Sequence, residues 1–229
     1  MRNAKVTKCL RKLKEAQLQL SHVIDVGVQH GTSPLMKVFP DLHHALFEPI
    51  EEDYPHIHRN YETLSFELAE AAVSDTNGQM LLRTEKKIRS DKVSQSYLPD
   101  RLSADTRSVK RVRLDSFFAC HSNMNRYRLK AEVQGPGVPA AILRGAPGMF
   151  DKIVVLMIET TVDRFMERAI VLREVGFDLW ESADLCYYVD GLRQVDAFFI
   201  RRYLKSAIPS LCHMTAGPFR KDLWQGGFS

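Results

Sequence analysis

The chain has 229 residues, 45% of them hydrophobic and 26% charged, which excludes a disordered polymer and leaves room for one large domain with a sizeable core. The net charge of +4 is concentrated at the start: residues 1–20 carry Arg2, Lys5, Lys8, Arg11, Lys12 and Lys14 against Glu15, and the remainder is close to neutral. A neutral body lacks the basic face of a broad nucleic-acid surface, so the expectation from charge is no nucleic-acid partner.

Cys9, Cys120, Cys186 and Cys212 lie far apart without a C-x-x-C pair. They read as reduced thiols of a cytoplasmic protein, not as a disulfide framework or a zinc knuckle. His43, His44, His56 and His58 lack a dependable ligand spacing, so no metal site is expected. The longest apolar run, Ile153 to Ile158, is far short of the roughly 20 residues of a membrane helix, and no stable membrane insertion is expected. The N-terminus has no apolar h-region of a secretory signal.

Taken in chain order, Val6, Leu10, Leu13 and Gln17/Leu20 have helical spacing with basic residues between them. This amphipathic helix is either a lid on the domain edge or a contact for an acidic partner or membrane surface. His22 to Val28 reads as a buried strand. Thr32 to Phe39 reads as a helix, with Thr32 or Ser33 as its cap and Pro34 near its first position. Ala45 to Phe47 is a second strand, Glu51 to Tyr61 a helix and Leu64 to Leu68 a third strand. Ala71 to Asp75 and Met80 to Leu82 suggest a strand pair around Asn77-Gly78. Residues 84 to 111 are polar and poor in aliphatics, and read as a long exposed excursion that orders over an acceptor. The alternation of Arg107 to Arg113, which overlaps the end of this excursion, suggests a solvated strand face. Tyr127 to Val133 is a strand, Val138 to Leu143 begins a short helix, and Ile153 to Ile158 is the strongest strand of the chain. A helix over Arg164 to Val175 stops at Gly176. Phe177 to Trp180 and Ala197 to Ile200 close the pattern as an antiparallel pair. Strands alternating with helices predict a doubly wound, mostly parallel α/β sheet with helices on both faces.

The segment with chemistry is Asp25-Val-Gly27-Val-Gln-His-Gly31, between the first strand and a helix. Gly27 permits a tight turn against a ligand, and the helix that follows presents free N–H groups. A dinucleotide pyrophosphate would want the G-x-G-x-x-G pattern, which is absent, and Asp25 would repel it. The carboxylate suits instead the ammonium and sulfonium end of S-adenosylmethionine. Glu48, at the end of the next strand, is placed to accept both ribose hydroxyls.

The order of segments resembles the FkbM family of S-adenosylmethionine-dependent methyltransferases. The matching stretches are VIDVGVQHG (Val23–Gly31), LFEPI (Leu46–Ile50), ELAEAAVSD with NG (Glu67–Asp75, Asn77–Gly78), VRLDSFF (Val112–Phe118), LKAEVQG and ILRGA (Leu129–Gly135, Ile142–Ala146), VVLMIE (Val154–Glu159) and VDAFFIRR (Val195–Arg202). The resemblance implies a class I methyltransferase (Rossmann-like) fold of seven strands with the last antiparallel. It implies a cofactor-binding domain over 21–205, preceded by the helix of 1–20 and followed by an extension over 206–229. It also implies O-methylation of a hydroxyl on a sugar or small natural product. By that resemblance Asp25, Gly27 and Gly31 hold the methionine end of the cofactor, Glu48 the ribose, and Glu70 and Ala71 lie beside the adenine. The family's K-I-D-V-E-G-A-E is here Lys130-Ala-Glu132-Val-Gln134-Gly135-Pro136-Gly137, so the first acid survives and the later two do not.

Methyl transfer to an oxygen needs in-line positioning and a base. Glu132 is the first candidate, Glu159 the second and His121 the third, with His30 also in the loop. Strand-end carboxylates paired with Lys130 or an arginine, and loop histidines facing water, are the alternatives. The acceptor-side changes at Gln134 and Gly137 leave a second expectation open, a catalytically weak scaffold that still binds the cofactor. A homo-oligomer is compatible with the sequence.

Overall fold

The computed structural model describes residues 5–86, 93–97, 106–119, 127–131, 142, 144–189 and 191–208. The elements run α1 (Val6–Glu15), β1 (His22–Val26), α2 (Ser33–Val38), β2 (His43–Phe47), a 3-10 turn (Glu51–Asp53), α3 (Tyr54–Tyr61), β3 (Phe66–Ala69), β4 (Ala72–Val73), β5 (Gly78–Lys86), β6 (Val93–Tyr97), β7 (Thr106–Val112), α4 (Leu114–Phe118), β8 (Tyr127–Ala131), β9 (Ile153–Thr161), α5 (Val162–Glu174), β10 (Phe177–Tyr188), β11 (Gly191–Arg201) and α6 (Arg202–Ala207).

Seven strands form the main sheet in the order β10-β11-β9-β8-β1-β2-β3. Strands β1, β2, β3, β8 and β9 run parallel, and β11 is antiparallel to both β9 and β10. The expectation of a parallel α/β sheet covered on both faces is met. Alternation along β1 divides the core: Val23 joins the cluster with Leu10, Leu13, Leu35 and Phe198. Ile24 and Val26 join the cluster with Phe47, Leu114, Phe118, Leu156 and Phe199 on the other face. Asp25 therefore points to the same side as Val23. Full burial of each large aliphatic or aromatic chain contributes about 1.5–3 kcal/mol. Helix α1 docks through Val6, Cys9, Leu10 and Leu13, an i, i+3, i+4, i+7 stripe.

Two local expectations are corrected. Residues 84–111 are not one exposed excursion: β5, β6 and β7 lie in a second, four-stranded sheet of order β4-β7-β5-β6. The segments around Asn77-Gly78 do not pair with each other; β4 and β5 both pair with β7. The small sheet turns Leu82 and Val109 inward onto Ile50. Polar and charged residues interrupt its strands, as in Gly78–Lys86 and Thr106–Val112, so no long apolar run reveals it. Arg107, on β7, grips Glu52 with two hydrogen bonds of 2.8 and 2.9 Å. The helix expected over Val138 to Leu143 and most of the extension over 206–229 lie outside the described residues.

Candidate functional site

Strand β1 delivers Asp25 to its carboxyl end beside β2, where Asp25 is level with Leu46 and Val26 with Phe47. The chain then turns sharply, with the Gly27 N–H donating to the Phe47 carbonyl at 2.9 Å and the Gly31 N–H to the Val28 carbonyl at 2.8 Å. Three residues of this turn occupy the left-handed region: Gly27 (φ +76°), Gln29 (φ +50°) and Gly31 (φ +115°). At Gly31 a Cβ would stand 3.0 Å from Tyr61 Cε2 and 3.4 Å from Met36 Sδ. Glycine is needed there for conformation and for space.

Asp25 and Glu48 are both fully buried. Glu48 Oε2 accepts the Gln29 N–H at 2.8 Å, and Oε1 accepts the Ile50 N–H at 3.0 Å. One carboxylate thus ties the turn after β1 to the end of β2. On the other side of the turn, the Tyr61 hydroxyl accepts the Thr32 N–H at 3.4 Å and stands in the field of the buried Asp25 carboxylate. Burial, with the Asp25 charge beside it, pushes the Tyr61 hydroxyl far above its ordinary pKa. It stays neutral.

At the next strand end, Glu70 is exposed and Ala71 buried. Tyr54 stands in the field of both Glu70 and Glu48, and burial followed by these charges pushes its hydroxyl up to about 12. Sequence reasoning missed Tyr54 and Tyr61. Both read as helix-face aromatics, and nothing in the spacing of α3 points to a loop 30 residues earlier.

A cleft of about 370 Å³ opens over the turn. Gly27 to Pro34 form one wall; Met157, Glu159, Asp184 and Asp196 form another, with Val6 of α1 at the edge. Glu159 and Asp196 are direct partners in the β9–β11 ladder. Asp184 accepts the Val6 N–H at the start of α1, at 3.4 Å. The structure therefore brings Gly27, Gly31 and Glu159 to one cleft, with Asp25 and Glu48 buried beneath its floor. Glu132, His121, Gln134 and Gly137 lie outside the described residues. No group of three or more metal-ligating side chains converges among the described residues. No described helix is long and apolar enough to cross a membrane.

No family model matches the chain, and no curated protein matches it. Solved structures do. The chain is similar to an rRNA methylase from Streptococcus thermophilus with a TM-score of 0.51 at 12% identity, over 88% of this chain and 98% of that one. It is similar to the METTL16 MTase domain with a TM-score of 0.50 at 10% identity, over 86% of this chain and 66% of that one. Likeness at this identity is likeness of fold: the chain has the Rossmann-like fold of methyltransferases. One expectation is overturned by it. A chain of this fold methylates rRNA, so the near-neutral charge of the body does not exclude nucleic acid. Net charge sums over the whole surface, whereas RNA is gripped locally and by stacking as well as by charge.

Proposed function

We propose that the chain is an S-adenosylmethionine-dependent methyltransferase that methylates a hydroxyl oxygen of a sugar or small natural product. The observation that carries the reading is the Glu48 carboxylate. It is buried at the end of β2 and holds the glycine turn that follows β1. The donor set fits this cofactor: two carboxylates flank a turn that has no lysine or arginine, which suits an ammonium and ribose hydroxyls better than a pyrophosphate. A carboxylate oxygen can accept from a ribose hydroxyl as well as from a backbone N–H. Asp25, Gly27 and Gly31 hold the methionine end, and Glu70 and Ala71 lie beside the adenine. The order of motifs similar to the FkbM family supports the same assignment. When bound, the cofactor supplies an electrophilic methyl group. The chain orients the acceptor in line and accepts its proton, with Glu132 first, Glu159 second and His121 third as the base. Glu159 has the support of lining the cleft.

A second reading, an RNA acceptor, is favoured by one specific feature. Strands β10 and β11 run past the last β9 pairing, Thr161 with Gln194. The projecting hairpin exposes Tyr187 and Tyr188, with the Arg193 guanidinium 6.0 Å from the Tyr188 ring centroid. An exposed aromatic beside arginine suits an unstacked base. Methyl transfer from labelled S-adenosylmethionine to a panel of saccharides, glycosylated small molecules and rRNA separates the readings. Label on the saccharides or small molecules supports the first reading. Label on rRNA alone replaces it with the second. Cofactor binding with no labelled product on any acceptor supports a scaffold.

A further inference from the structure

His30 sits in the turn between two left-handed residues, Gln29 and Gly31. Its Nε2 lies 3.0 Å from Asp53 Oδ1. Its ring stacks on His56 of α3, with centroids 4.1 Å apart and planes 25° apart. Its carbonyl accepts Asn60 Nδ2 at 2.5 Å. Asp53 belongs to the 3-10 turn after β2 and is only 3% exposed. Among the described residues its Oδ2 has no hydrogen-bond partner. Burial raises the Asp53 carboxyl above its ordinary range, and His30 and then His56 oppose that rise.

A buried carboxylate with one hydrogen-bonded oxygen depends heavily on that one partner. Here the partner belongs to the turn. Its neighbour Gln29 is a non-glycine residue at positive φ, a conformation that persists where its surroundings over-determine it. Gln29 is also the residue whose N–H reaches Glu48 Oε2. We propose that His30 and Asp53 form a positioning pair for the cofactor. Asp53 is the buried anchor, His30 is the arm, and the pair holds the Gln29 N–H on the carboxylate assigned to the ribose. The inference rests on the S-adenosylmethionine reading above.

Calorimetric titration of the full chain with S-adenosylmethionine, and separately with adenosine, tests it. His30→Ala and Asp53→Asn should each weaken binding of S-adenosylmethionine on the order of tenfold, the scale of coupling between contacting groups. Adenosine keeps the ribose and lacks the methionine, and it should lose affinity by the same factor. His30→Gln retains a side-chain donor and should recover part of the loss. The double variant should be no worse than the weaker single one. Thermal unfolding without ligand separates folding from positioning. Variants that unfold earlier yet bind as well as the unmutated chain overturn the proposal. So do losses that multiply in the double variant, or a His30→Gln variant as weak as His30→Ala. Absence of binding by the unmutated chain would overturn the function reading itself, and this inference with it. Normal binding by the unmutated chain and all variants overturns this inference alone.

Discussion

Glu48 satisfies two backbone N–H groups from full burial, so its removal has two consequences. Glu48→Ala leaves both donors without their acceptor and removes the group proposed to hold the ribose. It should lower the unfolding temperature and weaken S-adenosylmethionine binding by about 1–3 kcal/mol. Asp25→Ala should weaken binding by a similar amount, and calorimetry beside thermal unfolding checks both. Gly31→Ala places a methyl group against Tyr61 at a φ that alanine resists, and should destabilise the chain by about 1 kcal/mol or more. If Glu132 is the base, Glu132→Gln should lower kcat about 10²–10⁴-fold and leave cofactor affinity unchanged. An unchanged kcat moves the role to Glu159 or His121. A pH effect is expected away from the site. Hydrogen bonds from Arg113 hold the Asp115 carboxyl below its ordinary range. A carboxyl held low contributes stability above its unfolded pKa and loses it as pH falls through the folded one. Acid melts of Arg113→Gln should therefore show a flatter decline than the unmutated chain, and an identical decline would contradict this.

The elements differ in how openly the sequence displays them. Ile153 to Ile158 announces β9 because a strand buried on both faces must be apolar at every position. Helix α1 is legible because its inward stripe has one period. Strands β5 and β7 are not, since each contributes a single buried residue among those described, Leu82 and Val109, and Arg107 and Arg111 flank Val109 on its own face. Strands β10 and β11 outrun the short apolar cores of Phe177–Trp180 and Ala197–Ile200, because their far ends form a solvated hairpin. At the site, the placement of Asp25 and Glu48 at the ends of adjacent strands was legible. Their burial was not, because it depends on Tyr61 and on the turn folding back over β2. The His30–Asp53 contact joins residues 23 positions apart, with no spacing rule to connect them. At the opposite end of the sheet, Arg201 donates to the Ile153 carbonyl at 2.9 Å and the Val175 carbonyl at 2.8 Å, over the Phe177 ring. Arg201→Met should cost about 1–3 kcal/mol in denaturant unfolding without changing cofactor affinity, since it strands two carbonyls far from the cleft.

At the scale of the molecule, the cleft lies at the carboxyl ends of the parallel strands, where open α/β sheets bind their ligands. Among the five parallel strands, four bring acid-bearing ends to one side of the sheet: β1 with Asp25, β2 with Glu48, β3 with Glu70 and β9 with Glu159. The antiparallel β11 adds Asp196 from the other direction. Local features around this edge escape a total of composition, which is why near-neutral charge did not exclude nucleic acid. A charge total of +4 is silent about the tyrosine-bearing hairpin beside the cleft. The central claim is that the turn and its two buried carboxylates bind S-adenosylmethionine, and calorimetry with S-adenosylmethionine and NAD in parallel tests it most directly. The account predicts saturable binding of S-adenosylmethionine, weakened in Glu48→Ala, and no binding of NAD. Binding of NAD alone, or of neither ligand, would contradict it.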